Sequence, residues 1–185
     1  AHLNGEIHIH DLGMIDRFYC SGHSPEYIKK NGIKNIPTIP SNSKPANSAN
    51  VLARHICSIT QFLQSQFAGA IGWEALNVFF APLLTNMTYK EIKQLAQTLI
   101  FDLSQLAGAR GGQVAFTDFN VYLSIPEHYK KVLAMGARGK YMVKDYLEKI
   151  YYFDTQEEAK KFAEENEYHL LTYQDFSKEA AQFTK

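Results

Sequence analysis

Apolar positions recur every three or four residues in two long stretches of this sequence and alternate with polar ones in two others. Leu52, Ile56, Ile59, Leu63, Phe67 and Ala70 make one stripe, which predicts a helix over about residues 48–70. Ile92, Leu95, Leu99, Ile100, Leu103 and Leu106 make a second. Thr88-Tyr89-Lys90-Glu91 is a capping-box pattern that opens this second helix, and Gly108 with the Gly111-Gly112 pair ends it. Thr155-Gln156-Glu157-Glu158 opens a charged helix to about residue 166. Thr172-Tyr173-Gln174-Asp175 opens a last one, with Phe176, Ala180 and Phe183 on one face. Period-two alternation in Glu6-Ile7-His8-Ile9-His10 predicts a strand with His8 and His10 on one face. Residues 12–24 lead to a second extended piece, and a further strand is expected over residues 113–123, before Pro126. Pro37, Pro40 and Pro45 mark residues 31–48 as a long loop. Strand, long helices and strand in this order predict an α/β or α+β fold.

Composition narrows the function classes. The 185 residues carry 19 basic and 19 acidic side chains, with 45% apolar and 13% aromatic residues. That is enough apolar surface for a packed core, and it argues against disorder. Zero formal net charge argues against nonspecific nucleic-acid binding, which needs a basic excess. It leaves single nucleotides open as ligands. No run of 18 apolar residues predicts a membrane span, and the N-terminus lacks a signal-peptide pattern. Two cysteines, Cys20 and Cys57, are too few for a disulfide scaffold, so a reducing cytoplasm is expected. Of the 38 charged side chains, 21 fall in residues 127–185, which reads as a solvated flank beside a core-forming first part.

Candidate chemistry is concentrated early. Five of the seven histidines lie in the first 55 residues. His8 and His10 on one strand face, followed by Asp11, could begin a divalent-metal site of the barrel hydrolase kind, or one of them could pack in the core against a carboxylate. Cys20 could be a nucleophile or radical carrier if accessible, or a small buried hydrophobe. Cys57 falls at the edge of the first helix stripe and reads as structural. Gly111, Gly112 and Gln113 could present backbone amides to a substrate phosphate, although a Gly pair here reads first as a helix C-cap and turn.

Several segments together resemble the anaerobic (class III) ribonucleoside-triphosphate reductases. They are Asn4-Gly5-Glu6-Ile7-His8-Ile9-His10-Asp11-Leu12, then Phe67-Ala68-Gly69-Ala70, then Arg110-Gly111-Gly112-Gln113-Val114-Ala115-Phe116-Thr117, and last Tyr173-Gln174-Asp175-Phe176 with Glu179, Ala180 and Phe183. Order and spacing match over about residues 2–143 and 172–185.

The resemblance implies part of a ten-stranded α/β barrel of the glycyl-radical-enzyme type. Residues 1–143 would be the N-terminal part of the catalytic barrel. Residues 144–171 would be a charged, helical insertion, and residues 172–185 the start of the next barrel helix. It also implies reduction of ribonucleoside triphosphates to deoxyribonucleoside triphosphates by radical chemistry. In the family a glycyl radical passes its electron hole to a loop cysteine, whose thiyl takes the 3′-hydrogen of the ribose. Cys20 matches the second cysteine, on the first barrel strand, and His10 and Asp11 match a pair lining the site near the ribose hydroxyls or a formate reductant. The implied partners are dNTP and ATP effectors near the helix from Thr88, a radical-SAM activating enzyme, and a second copy in a homodimer. The full enzyme would carry a glycyl radical and a structural zinc, with formate or a thiol protein as reductant, in the cytoplasm. This chain has no later loop cysteine, no glycyl-radical loop and no four-cysteine zinc module. It also lacks an initiator Met, so an internal fragment, inactive alone and holding no cofactor or metal, is expected. Two other functions fit the residues: a catalytically silent dimerisation or nucleotide-sensing module, and the His-x-His hydrolase.

Overall fold

The computed structural model describes the chain except for residues 10, 11, 13–15, 37, 38, 106–113 and 185. It is a mixed α/β structure with two three-stranded sheets among the described residues. The first sheet is parallel, in the order β1 (Ser21–His23), β2 (Ile71–Trp73), β3 (Thr117–Phe119). Helices cross between its strands. After β1 come α1 (Glu26–Asn31) and α2 (Ala49–Gln66). After β2 come α3 (Leu76–Phe80) and α4 (Tyr89–Gln105). A one-turn helix, α5 (Glu127–Lys130), follows β3.

The apolar stripes read from the sequence dock the helices on this sheet. Leu52, Ile56 and Ile59 of α2 and Ile92, Leu95, Leu99 and Leu103 of α4 are buried with Ile71 and Trp73 of β2 in one core. Trp73 is wholly inside, and its indole Nε1 donates to Thr60 Oγ1 at 2.8 Å, so the largest core side chain is also satisfied in its one polar group. Ile100, expected in the α4 stripe, is 61% exposed. The capping box at Thr88 forms as expected, with Thr88 N donating to Glu91 Oε2 at 2.7 Å and Glu91 N to Thr88 Oγ1 at 3.4 Å.

The second sheet is antiparallel, in the order β5 (Ile150–Phe153), β4 (Tyr141–Lys144), β6 (His169–Leu170), and is covered by α6 (Gln156–Asn166). The Thr155–Glu158 capping box starts α6. The stretch expected to be a helical insertion therefore also carries strands. Its Ile-Tyr-Tyr-Phe run is β-branched and aromatic, which suits a pleated surface better than a helix. The Thr172–Asp175 capping box forms as expected and opens a 3₁₀ turn at Tyr173–Phe176, which runs directly into α7 (Ser177–Phe183).

Two other expectations fail. Residues 6 and 7 form a bend and residues 8 and 9 are irregular, not a strand. Ile7 and Ile9 are 52% and 44% exposed, so period-two alternation has no sheet face to bury there. The first long helix stops at Gln66, short of residue 70, because the chain leaves it to pair with the segment before β1. Ala68 N donates to the Phe18 carbonyl at 2.8 Å, and Ser21 N to the Ala70 carbonyl at 3.0 Å.

Candidate functional site

Parallel sheets are normally covered on both faces. Here the register pairs Ser21, Ile71 and Thr117 in one row, Gly22, Gly72 and Asp118 in the next, and His23, Trp73 and Phe119 in a third. The first and third rows face α2 and α4, and Ile71 and Trp73 are buried there. The middle row points the other way, and Gly22 and Asp118 are exposed. A β-carbon at Gly22 would meet nothing within 4 Å, and one at Gly72 would meet only the neighbouring strand's backbone. The two glycines thus leave a hollow on a face that no helix covers among the described residues.

Cys20 lies at one end of that hollow. It precedes β1 and is exposed. Strand alternation carried back from Gly22 places it on the open side. Its Sγ accepts from Ala70 N at 3.3 Å, which ties the thiol to the entry of β2. Gly69 is required here: a β-carbon would stand 2.6 Å from the sulfur and 2.6 Å from the Tyr19 carbonyl oxygen. Gln64, buried near the end of α2, fixes this loop by donating to the Gly69 carbonyl at 3.1 Å and accepting from Phe116 N at 2.9 Å.

The carboxyl end of the sheet carries a polar group of its own. Glu74 N donates to the His23 carbonyl and Asn120 N to the Trp73 carbonyl, both at 2.8 Å, so the ladder runs one residue past the strands. Glu74 Oε2 accepts from Asn120 Nδ2 at 2.8 Å, and Glu74 Oε1 accepts from the Tyr122 hydroxyl at 2.5 Å. These bonds hold the Glu74 carboxyl below its ordinary pKa and push the Tyr122 phenol up. Ala75, next in the chain, adopts a left-handed conformation at φ 48° with no glycine, and opens α3. Asp118 lies between Cys20 and this group. Its carboxylate makes no hydrogen bond or ion pair among the described residues.

The residues expected at the site divide in two. Cys20 is placed on the open sheet side. His10, Asp11, Gly111, Gly112 and Gln113 lie outside the described residues. Cys57 is buried in α2, and burial pushes its thiol up to about 11, as suits an inert core cysteine. His8 stands with its ring 5.7 Å from that of His2. No three His, Cys, Asp or Glu side chains among the described residues could hold a metal ion. Asp118, Glu74 and Asn120 were not singled out from the sequence. The alternation of Asp118 and Asn120 with Thr117 and Phe119 was the available signal.

A cavity of about 410 Å³ lies on the helix-covered side, lined by His23, Tyr27, Ile59, Phe62 and Trp73 among others, and does not include Cys20. His23 packs against Phe67 and Trp73 there, and burial lowers its pKa. None of the described helices is long and apolar enough to cross a membrane.

The described residues thus form a parallel strand–helix–strand unit of mixed α/β type, with helices on one face and an exposed thiol at the rim of the other. The chain belongs to the anaerobic ribonucleoside-triphosphate reductase family, whose model matches residues 1–185, the stretch 144–171 included. Solved structures agree. A structure described as an anaerobic ribonucleotide reductase is 25% identical, with a TM-score of 0.56 over 75% of this chain and 22% of its own. The Thermotoga maritima anaerobic ribonucleotide reductase with dATP in its specificity site is 25% identical, with a TM-score of 0.55 over 75% of this chain and 24% of its own. The same organism's enzyme with citrate in the active site shares the fold over 100% of this chain and 28% of its own, at 20% identity and a TM-score of 0.59. The chain thus spans about a quarter of these structures. No curated protein matches it.

Proposed function

We propose that this chain forms one wall of the active site of an anaerobic ribonucleotide reductase that converts ribonucleoside triphosphates to deoxyribonucleoside triphosphates by glycyl and thiyl radical chemistry. The parallel sheet β1–β2–β3 is then part of a ten-stranded barrel whose interior is the uncovered face. The observation that carries this reading is the exposed Cys20, fixed on the Ala70 amide at the rim of a hollow cleared by Gly22 and Gly72. A neighbouring structure, the Thermotoga maritima enzyme, is described in complex with dATP and CTP, which supports nucleotide substrates and effectors for this chain.

In this reading Cys20 faces the sugar and supplies a hydrogen atom to the ribose radical. His10 and Asp11 hydrogen-bond the ribose and move the proton that lets the 2′-hydroxyl leave as water. Gly111, Gly112 and Gln113 offer backbone amides to the substrate phosphates. The net reaction adds two electrons and two protons to the nucleotide and releases one water. Formate leaving as carbon dioxide, or a thiol protein leaving as a disulfide, balances it. In the full enzyme a glycyl radical, formed with a radical-SAM partner, would supply the initial hole, and a structural zinc would be carried outside the residues given roles here. Residues 1–185 alone do not turn over, and the working enzyme is a cytoplasmic homodimer.

The test is Cys20→Ser in the full-length reductase. Deoxynucleotide formation is abolished while ribonucleotide binding by equilibrium dialysis stays within about twofold. Near-normal turnover overturns the role.

A further inference from the structure

We infer that Asp118 is a substrate-contacting residue that accepts hydrogen bonds from the vicinal 2′- and 3′-hydroxyls of the ribose. The inference rests on the reductase reading of the open sheet face and names a contact within it. Asp118 is in register with Gly72 and, one strand further, with Gly22. Among the described residues no side chain in this row stands between its carboxylate and β1, because the one intervening position, Gly72, and the β1 position itself, Gly22, are both glycine. At the usual interstrand spacing, two strands separate Asp118 from Gly22 by about 10 Å between Cα atoms. Cys20 sits two residues before Gly22 on the far side. The thiol and the carboxylate therefore flank one trough.

Availability separates Asp118 from its neighbour. Both oxygens of Glu74 are taken, one by the Asn120 amide and one by the Tyr122 hydroxyl. The exposed Asp118 carboxylate has no partner among the described residues, none of which occupies its acceptor sites. An ionised carboxylate accepts only, and its two oxygens match a cis-diol. The same charge repels a triphosphate, so Asp118 belongs at the sugar end of the trough. A ribonucleotide would make two bonds to it, and a 2′-deoxynucleotide one.

The experiment uses the activated full-length reductase with Asp118→Asn, Asp118→Ala and, as a separate arm, Cys20→Ser. Readouts are KM and kcat for each ribonucleoside triphosphate, the competitive Ki of the matching deoxynucleotide product, and glycyl-radical yield by electron paramagnetic resonance. Both Asp118 variants raise KM roughly 10- to 100-fold, the scale of lost hydrogen bonds to a charged group. The ratio of product Ki to substrate KM falls towards one, and radical yield is unchanged. Asp118→Glu, which keeps the charge, regains part of the loss and controls for folding. If Cys20→Ser is inactive while the Asp118 variants keep wild-type KM and the wild-type ratio, the Asp118 contact is overturned and the reductase reading stands. If Cys20→Ser turns over normally, the reading of the whole face falls.

Discussion

Gly69 stands directly against Cys20: a β-carbon added at Gly69 would lie 2.6 Å from the cysteine sulfur. The thiol's position is therefore set by the absence of a side chain one strand away. Gly69→Ala is expected to displace Cys20 or its backbone, at a cost of about 1–3 kcal/mol in stability. Site-resolved alkylation of the native protein checks the local effect. Cys20 should label fast and Cys57 slowly, because the Cys57 thiol is buried and its pKa is pushed up to about 11. In the Gly69→Ala variant the Cys20 rate should change while the Cys57 rate stays low.

Gln64 joins three segments that meet beside the thiol. Gln64→Leu keeps the volume but leaves the Gly69 carbonyl and the Phe116 amide without their partner. Each abandoned backbone group costs about 1–3 kcal/mol. Urea denaturation should show a lower midpoint with little change in slope. An unchanged midpoint would mean that water or another side chain replaces the amide.

The single tryptophan offers a direct probe of the core. Trp73 is buried and donates to Thr60, whose hydroxyl in turn donates to the Ile56 carbonyl at 2.7 Å. Thr60→Val removes the acceptor and leaves the indole N–H unpaired, at about 1–3 kcal/mol. Thermal unfolding followed by tryptophan emission should give a lower Tm, with the folded emission still blue-shifted.

Lys29 is wholly buried, donates its ammonium to the Phe79 carbonyl, and lies 5.5 Å from the Tyr173 ring centre. Burial lowers its pKa to about 7 from 10.5, with Glu26 opposing the shift. Between those values the unfolded chain binds the proton more tightly than the folded one. Stability should therefore rise with pH between about 7 and 10.5, falling as pH drops through that window and levelling off below 7. Lys29→Met should flatten this slope in denaturation curves taken across that range. A slope that survives the substitution would assign it to another group.

Local signals were legible in the sequence and long-range ones were not. The Thr88–Glu91 and Thr155–Glu158 capping boxes involve residues three apart, and both form as read. The α2 and α4 stripes likewise mark the buried faces of helices long enough to show a period. α1 and α3 are too short for one. The strand expected from Glu6-Ile7-His8-Ile9 is missing over its described residues because alternation describes a face without saying that anything lies under it. Cys20 could be picked out as a chemical group. Asp118 could not, since its importance depends on which side of the sheet α2 and α4 occupy. That side is set by contacts between residues some forty to fifty positions apart, such as Gln64 with Phe116.

The parallel sheet has two rims. Among the described residues, β1 bonds to strand neighbours only through β2, and β3 does the same from the opposite flank. Rims of this kind recruit further strands, whether the intended ones or those of another molecule. Handling residues 1–185 in isolation therefore invites fibrous or amorphous precipitation. A nascent polypeptide holding this unit would need chaperone shelter while both rims stay open.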